Sequence, residues 1–301
     1  MTKKELKQEQ VVRVLDYTHN PIELLSLMEL KQTASERTTG GKPLHGVEHW
    51  ELLDMICDKI SKHTNNFELG TIATSDGGNK SVPGVTFLPY MEADFGKNAL
   101  QASLLRRMIT SITLKDHANK KDNGMIVIAF HQLGIQVAHA MNVKFCNNMN
   151  IFTRENLMST YGEGNWNKIA SIPKMVEVIG DWVHSQEERL ETMRRISHGM
   201  SEIPMGNKEV HELIGDLNVM RVEKDIFRSV KDYALNQAQI SKFTEDYIRK
   251  TSSNPESIQT LWDVYNLATE MHKPFKTDIP LILPNNIALG SFIINKFNLN
   301  N

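Results

Sequence analysis

The sequence predicts an α+β protein, in which an N-terminal antiparallel sheet with flanking helices is followed by an all-helical C-terminal half. Short β-branched and aromatic runs, separated by Gly, Asn, Asp and Pro clusters, fill residues 67–152, which is typical of strands and turns. After Arg154 the apolar residues recur at the helical period almost throughout. These observations predict a polar extension with short helices at 1–42, an α+β sheet domain at 43–155, and a helical region at 156–301, whose last helix can return to the sheet.

The N-terminal extension contains two short amphipathic pieces, VVRVL and PIELLSLMEL, in an otherwise polar stretch. Gly40, Gly41 and Pro43 mark the loop that ends it. A helix is predicted from Val47, because apolar residues then recur close to the helical period until the polar stretch KHTNN.

Five runs predict the strands of the sheet: FELGTIATS, SVPGVTFLPY, MIVIAF, IQVAHAMNV and KFCNNMNIF. Gly77-Gly78-Asn79 predicts a hairpin turn, and Asp122-Asn123-Gly124 predicts a second turn that leads into MIVIAF. The segment NALQASLLRRMITSI, residues 98–112, predicts a helix between strands, because its large apolar residues are spaced at the helical period.

Four segments beyond residue 155 predict long helices: IPKMVEVIGDWVHSQEERLETMRRI, KEVHELIGDLNVMRVEKDIF, VKDYALNQAQISKFTEDYIRK and PESIQTLWDVYNLATEMHK. Asn254-Pro255 predicts the start of the last of these, as an N-cap followed by proline in the first turn.

Composition favours a cytoplasmic protein without a membrane-spanning segment. The two cysteines, Cys57 and Cys146, lie far apart and form no C-x-x-C pair, which suits a reducing compartment. The N-terminal residues lack the apolar core of a signal peptide, and no run approaches the roughly 20 apolar residues that cross a bilayer. No cofactor motif is found: the chain has no Walker loop, no G-x-S-x-G and no dinucleotide fingerprint.

One local charge excess predicts a nucleic-acid-binding surface. Between Lys97 and Lys121 six basic residues face a single acid, Asp116. The basic residues are Lys97, Arg106, Arg107, Lys115, Lys120 and Lys121. Tyr90 and Phe95, with Phe87 and His117, are near enough in sequence to stack on unpaired bases. The alternative interpretation is a solvated helix face.

The stretch HGVEHW, His45 to Trp50, matches the H-x-x-E-H spacing of some zinc peptidases. Two histidines at i and i+4 on a helix can reach one metal ion, and the glutamate between them can act as the general base. His45 precedes Gly46, which predicts a position before the rigid part of the helix, and no third ligand is singled out. His45 and His49 are therefore weak metal candidates, and the alternative places Glu48 and His49 as solvated first-turn residues.

Two further stretches carry polar groups of interest. Trp262, Tyr265, Asn266, Thr269 and Glu270 fall on one face of a helix, and Leu261, Val264, Ala268 and Met271 line another, so a mostly buried helix is predicted. A structural role for its polar residues is favoured over a ligand site.

The stretch CNNMN predicts a turn after a strand. A nucleophilic Cys146 would need a base beside it, for which His131 and His139 are the candidates.

HGVEHWELLDMI, VKFCNNMNIF and LWDVYNLATE together resemble, in order and separation, the blocks of a family of phage/plasmid-like proteins of unknown function, over roughly residues 45–297. The resemblance matches Cys146-Asn147-Asn148 to a Cys-Asp/Asn-Asn step, and the helix from Trp262 to Glu270 to a Trp-x-x-Tyr-Asn-x-x-Thr-Glu helix. Where the family commonly has a polar Asn-Ser/Asp-Lys turn, this chain has HQLGI, residues 131–135, which puts any role of that turn in doubt. The resemblance implies a mobile-element setting.

Two functional hypotheses follow. The first is a phage or plasmid accessory protein that binds nucleic acid, such as a single-strand binding or annealing protein in recombination or replication, with homo-oligomers expected for a ring-forming annealer. The second is a non-enzymatic protein-binding or virion-associated factor, for which the fifteen methionines supply adaptable apolar surface. The sequence favours a non-enzyme; the enzyme alternative is a metal-dependent hydrolase.

Overall fold

The computed structural model describes residues 14–15, 21–35, 42–43, 45–75, 104–105, 107–115, 122–131, 134–143, 148–150, 154–160, 167–227, 234–273 and 279–299. These residues form a mostly antiparallel sheet and a set of helices that lie mainly in the C-terminal half, which confirms the predicted α+β class. Among the described helices, none is both long and apolar enough to cross a membrane.

The main sheet has the order β1-β2-β5-β7-β8-β9-β11-β12, with β4 also paired to β7 and β10 to β9. Its pairs are antiparallel except β11 with β12, and β3 with β6 forms a separate parallel pair. The described strands are β1 (Val14–Leu15), β2 (Pro21–Leu25), β3 (Ala34–Ser35), β4 (Phe67–Leu69), β5 (Ile72–Ser75), β6 (Leu104–Leu105), β7 (Arg107–Leu114), β8 (Asp122–His131), β9 (Gly134–Val143), β10 (Asn148–Asn150), β11 (Leu157–Ser159) and β12 (Asn167–Lys168).

The described α-helices are α1 (Leu27–Leu30), α2 (His49–Ser61), α3 (Ile172–His184), α4 (Gln186–Ser201), α5 (Asn207–Phe227), α6 (Gln237–Ser253), α7 (Leu261–Thr269) and α8 (Ile279–Phe297). Several begin at the caps that their sequences favour: Ser171 caps α3, and Asn236 and Thr260 form capping boxes for α6 and α7. Asn254-Pro255 starts only a short 3-10 helix, Pro255–Ser257, because the capping box at Thr260 starts the longer helix.

The predicted helix at 98–112 is wrong, since the described residues 104–105 and 107–114 form strands β6 and β7. Met108 and Ile112 are spaced by four residues, which places them on one face of a strand as well as on one face of a helix. Ile109 is also buried, against the opposite face of the sheet. Apolar residues on both faces, together with a β-branched run, favour the strand.

The longest strands, β8 and β9, form a hairpin in which Asp122 pairs with Val143 and His131 with Gly134. The expected turn at Asp122-Asn123-Gly124 is therefore wrong, because these residues are the first three of β8 and pair with β9. We call the end of this hairpin where His131 and Gly134 pair the hairpin end of the sheet.

The boundaries of the sheet differ from those expected. PIELL forms strand β2 rather than a helix and pairs with β5, because Leu24 packs in the core on one face of the sheet and Leu25 packs against the core on the other. In the same stretch only α1, a single turn, is helical. Strands β11 and β12 also extend the sheet beyond residue 155.

Each face of the sheet is covered by helices. On one face, which we call the α2/α3 face, Ile126, Ile128 and Phe130 pack against α2 and α3. The opposite face, which we call the α8 face, carries small residues under the start of α8: Ala73, Ala129, Ala138 and Ala140 lie in one core with Ile282, Leu283 and Ile287 of α8. These alanines let the helix approach the sheet closely. A third core joins α4–α8 and Met141.

Candidate nucleic-acid interface and histidine cluster

The structure places two of the eight predicted nucleic-acid-binding residues, Arg107 and Lys115. The other six, Tyr90, Phe95, Lys97, Arg106, Lys120 and Lys121, lie outside the described residues, as do Phe87 and His117. Arg107 is the first residue of β7 and Lys115 follows its last, so they do not form a helical stripe. They are eight positions apart along the strand, which is about 26 Å at the usual rise.

Arg107 and Lys115 are an even number of residues apart, which places them on the same face of the strand as Ser111 and Thr113. We call these four residues the β7 polar row. Arg107, Ser111 and Thr113 are half-buried and Lys115 is exposed. The row is interrupted by Ile109, which is buried in the core under α8.

A carboxylate already neutralises the exposed end of the row. Lys115 Nζ lies 2.6 Å from Glu68 Oε2, and both side chains are about half or more exposed to solvent. The pKa of Glu68 is lowered by the hydrogen bond and the positive charge of Lys115. The backbone here is fixed by Asn66, whose carbonyl accepts from the Lys115 N–H at 2.8 Å. Exposed pairs of this kind stabilise proteins little, so a stronger anion can compete with Glu68.

Arg107 belongs to a second group of residues at the hairpin end of the sheet. Met108 of β7 pairs with Phe130 of β8. Because the two strands are antiparallel, the residue before Met108, Arg107, lies opposite the residue after Phe130, His131. Around Phe130 lie the rings of His45 and His49, with centroids at 5.1 Å and 4.0 Å. We call Ser35, His45, His49, Phe130 and His131 the histidine cluster.

Hydrogen bonds fix two rings of the histidine cluster. His45 Nε2 donates to the carbonyl of His131 at 2.7 Å. Ser35 Oγ accepts the backbone N–H of His49 at 3.0 Å and lies 2.7 Å from His49 Nδ1. The hydroxyl and the His49 ring therefore share one hydrogen bond, whose direction follows the tautomer of the ring. His49 Nε2 is buried without a hydrogen-bond partner.

His49 and His131 are neutral at physiological pH. Burial, followed by the charge of His45, lowers the pKa of His49 to about 3. Burial, followed by His45 and Arg107, lowers the pKa of His131 to about 3. The expectation that His49 is a solvated first-turn residue is wrong: it is 1% exposed, because its ring fills the space between Ser35 and Phe130.

The two histidines of HGVEH do not lie on one helix. Helix α2 begins at His49, with Glu48 as its N-cap and a capping box to Glu51, and Gly46 before it has a φ of 77°. A left-handed residue at this point turns His45 away from the helical path. In the part of the chain that the structure describes, no group of three or more His, Cys, Asp or Glu side chains is arranged to hold a metal ion.

Ser35 and His49 have the contact of a nucleophile and its base, but their setting is structural. The Ser35 side chain replaces a helix cap, and its backbone N–H donates to Glu48 Oε2 at 2.9 Å. Ser35 is 1% exposed, so a substrate does not reach its hydroxyl in this arrangement. Cys146, the other candidate nucleophile, lies outside the described residues.

The remaining blocks of the resemblance meet at the opposite end of the sheet. Strand β10, which includes Asn148, contacts α7. Two polar residues of α7 make hydrogen bonds within their own helix: Asn266 donates to the carbonyl of Trp262, and Thr269 donates to that of Asn266. Glu270 pairs with Lys273. These contacts fit the structural role expected for this helix.

Sequence reasoning missed a group of polar residues on the α2/α3 face. His139 is fully buried in β9, and neither of its ring nitrogens has a hydrogen-bond partner. Gln186 and Arg189 face it from α4. The only sequence signal was a histidine between alanines in a predicted strand, which is more often a core residue than a ligand.

The chain was compared with protein-family models, curated proteins and solved structures. None of them matches. The phage/plasmid-like resemblance therefore stays a prediction.

Proposed function

We propose that this protein is a non-enzymatic nucleic-acid-binding protein that contacts a single strand along the β7 polar row. The observation that carries the proposal is the placement of Arg107 and Lys115 on one face of one strand, with the hydroxyls of Ser111 and Thr113 between them. Arginine, lysine and hydroxyl side chains are the usual partners of phosphate oxygens. Arg107 and Lys115 lie about 26 Å apart along the strand, with Ile109 buried under α8 between them, so each end of the row would contact a separate phosphate of the bound strand.

The histidine cluster supports the same end of this surface. Because His131 stays neutral, it adds no second cation beside Arg107, and the guanidinium keeps its ability to bind a phosphate in a forked geometry. His45 and Phe130 support the strand that carries His131. A mobile-element setting, with a role in recombination or replication, comes from the resemblance alone.

Glu68 sets the strength of the interaction at the other end. A phosphate that reaches Lys115 replaces the Glu68 carboxylate. The free energy needed to break this exposed ion pair therefore reduces the free energy gained on binding the phosphate. This arrangement favours weak, salt-sensitive contact with the backbone over base-specific recognition.

The proposal is tested by fluorescence anisotropy of a labelled single-stranded oligonucleotide with Arg107→Gln and Lys115→Gln. Each variant should bind more weakly and show a salt slope smaller by about 0.7 to 1 for each phosphate that the protein no longer neutralises. Lys174→Gln is the matched control, since Lys174 is an exposed lysine in an ion pair with Glu177 on α3, which covers the opposite face of the sheet. Equal weakening by all three variants, or binding unaffected by the two row variants, would refute the proposed surface.

A second candidate function, binding of a protein partner, is favoured by exposed apolar side chains on α1 and α2. Met28 is 74% exposed and Met55 38% exposed, and Lys31 Nζ lies 5.4 Å from the ring of the half-buried Trp50. Methionine is a common residue of adaptable contact surfaces. A partner found by co-purification should be lost with Met28→Lys plus Met55→Lys, and retention of that partner would exclude these two side chains as the contact.

A further inference from the structure

Two exposed histidines meet where helices α2 and α3 end. The ring centroids of His63 and His184 are 6.3 Å apart, and the ring planes are inclined by 56°. His63 follows the last residue of α2 by two positions, and His184 is the last residue of α3, which packs against α2. Within the described part of the chain neither imidazole makes a hydrogen bond, so its nitrogens are available to a ligand.

Hydrogen bonds of the backbone fix the chain at both histidines. The N–H groups of His63 and Thr64 both donate to the carbonyl of Ile60 at 2.9 Å, which sets the turn after α2. The N–H of Ser185 donates to the carbonyl of Asp181 at 2.9 Å at the end of α3. The fold therefore brings the two side chains together, and only their rotamers need to change when a ligand binds.

Gly180 makes room for the His63 ring on α3. It is buried and lies one turn before His184 on the same face of the helix. A Cβ at this position would collide with Lys59 Cε and would lie 3.2 Å from both His63 Nε2 and Lys59 Nζ. His63 Nε2 thus lies over the last turn of α3, towards which the His184 side chain also tilts, because helical side chains point back towards the N-terminus of their helix.

The electrostatic setting favours a cation over an anion. Helices α2 and α3 both present their C-terminal carbonyl groups here, and the helix dipole gives each end a partial negative charge. Asp181, which is exposed three residues before His184, adds a negative side chain. Lys59 Nζ is the cation that lies over Gly180, and no described carboxylate forms an ion pair with it. Its flexible stem lets it move aside for a competing ion.

We propose that His63 and His184 form a binding site for a divalent transition-metal ion of the zinc class, which links the ends of α2 and α3. Imidazole is a preferred ligand of zinc, copper and nickel, whereas magnesium and calcium prefer oxygen ligands. Two imidazoles that bind one zinc ion at about 2.0–2.1 Å have ring centroids about 5–6 Å apart. A small rotation of either exposed side chain therefore closes the site from the separation of 6.3 Å.

Water completes the coordination of the ion. Among the described residues no third histidine, cysteine or carboxylate is arranged to hold a metal ion with this pair. The site lies on the helices that cover the α2/α3 face, opposite to the face that carries the β7 polar row. It is therefore independent of the proposed nucleic-acid contact.

The test is isothermal titration of the full chain with zinc chloride, with magnesium chloride as the probe for oxygen ligands. His63→Gln and His184→Gln each remove one imidazole, and each should weaken zinc binding about tenfold or more. His198→Gln is the matched control, since His198 is an exposed histidine near the end of α4, and it should leave binding unchanged. Lys59→Gln keeps both imidazoles and removes the competing charge, so it should bind zinc at least as tightly as the wild-type chain.

Zinc binding that is weakened in both histidine variants and kept in the other two is the expected result. The proposal is overturned if the wild-type chain gives no zinc heat in the micromolar to millimolar range, or if magnesium binds as tightly as zinc. It is also overturned if either histidine variant binds zinc like the wild-type chain, or if Lys59→Gln loses binding. Because His63 and His184 are exposed, both variants should fold, which circular dichroism checks.

Discussion

Acid should destabilise this protein well above the pH at which carboxylates protonate. Four buried histidines have lowered pKa values: about 3 for His49, His131 and His139, and about 4 for His272. Each is at most 2% exposed. Burial lowers the pKa of His272, although its Nε2 donates to the carbonyl of Ala234 at 2.9 Å, and protonation would also break the bond that its Nδ1 accepts from Asn286.

The size of the effect follows from proton linkage. In the unfolded chain a histidine has a pKa of about 6.5, so below that pH the unfolded state binds a proton that the native state does not. The stability contributed by each neutral histidine is complete above about pH 6.5 and is lost as the pH falls towards its native pKa. Between about pH 7.5 and pH 5.5 the loss is about 1 kcal/mol per histidine, or about 4–5 kcal/mol for the four together.

Urea unfolding at the two pH values measures this loss as a difference in the free energy of unfolding. His139→Gln should reduce the difference by about 1 kcal/mol, even if it lowers stability at both pH values. Leu289→Ala, a core substitution that removes no titratable group, is the control and should leave the difference unchanged. A wild-type loss below about 1 kcal/mol, or the same loss in wild type and His139→Gln, would refute the conclusion that these rings stay neutral in the native protein.

Three further predictions concern the cluster, the core and the proposed interface. Ser35→Ala should lower the free energy of unfolding by about 2–4 kcal/mol in chemical denaturation, because it leaves the backbone N–H and the Nδ1 atom of His49 without their partner. Ser61→Ala, at the exposed end of α2, should cost less than about 1 kcal/mol, and similar costs for the two variants would contradict the cap role of Ser35. Ala138→Leu should lower the free energy of unfolding by about 1–3 kcal/mol, because the larger side chain overpacks the core under α8. An unchanged melting temperature in thermal denaturation would show that α8 does not pack closely against Ala138. Glu68→Gln should strengthen oligonucleotide binding in anisotropy titrations by releasing Lys115, and unchanged or weaker binding would show that this lysine does not contact the ligand.

The helical half was predictable because its burial follows one period. Met175, Ile179 and Trp182 of α3 recur at the helical spacing, and each packs in the core on the α2/α3 face. The strand β7 was not predictable by the same rule, because a spacing of four residues satisfies both a helix and a strand. Only its position between β5 and β8, which buries Met108 and Ile112 on one face of the sheet and Ile109 on the other, decides between them.

The candidate sites depend on contacts that no local pattern encodes. Ser35 lies 14 residues from His49, and His45 lies 86 residues from the carbonyl of His131 that it binds. The register of β8 with β9 brings His131 to the hairpin end, and the sheet pairing then brings Arg107 beside it. The sequence indicated that a basic segment and a histidine pair were present, but their placement depends on the tertiary structure.

The most direct test of the central claim is the salt dependence of single-stranded DNA binding by the wild-type chain and by an Arg107→Gln plus Lys115→Gln double variant. If the β7 polar row contacts phosphates, the logarithm of the binding constant should fall linearly with the logarithm of salt concentration, and the slope should shrink by about 1.4 in the double variant. An identical slope in the two proteins, or no binding by the wild-type chain at low salt, would contradict the claim that this strand binds nucleic acid.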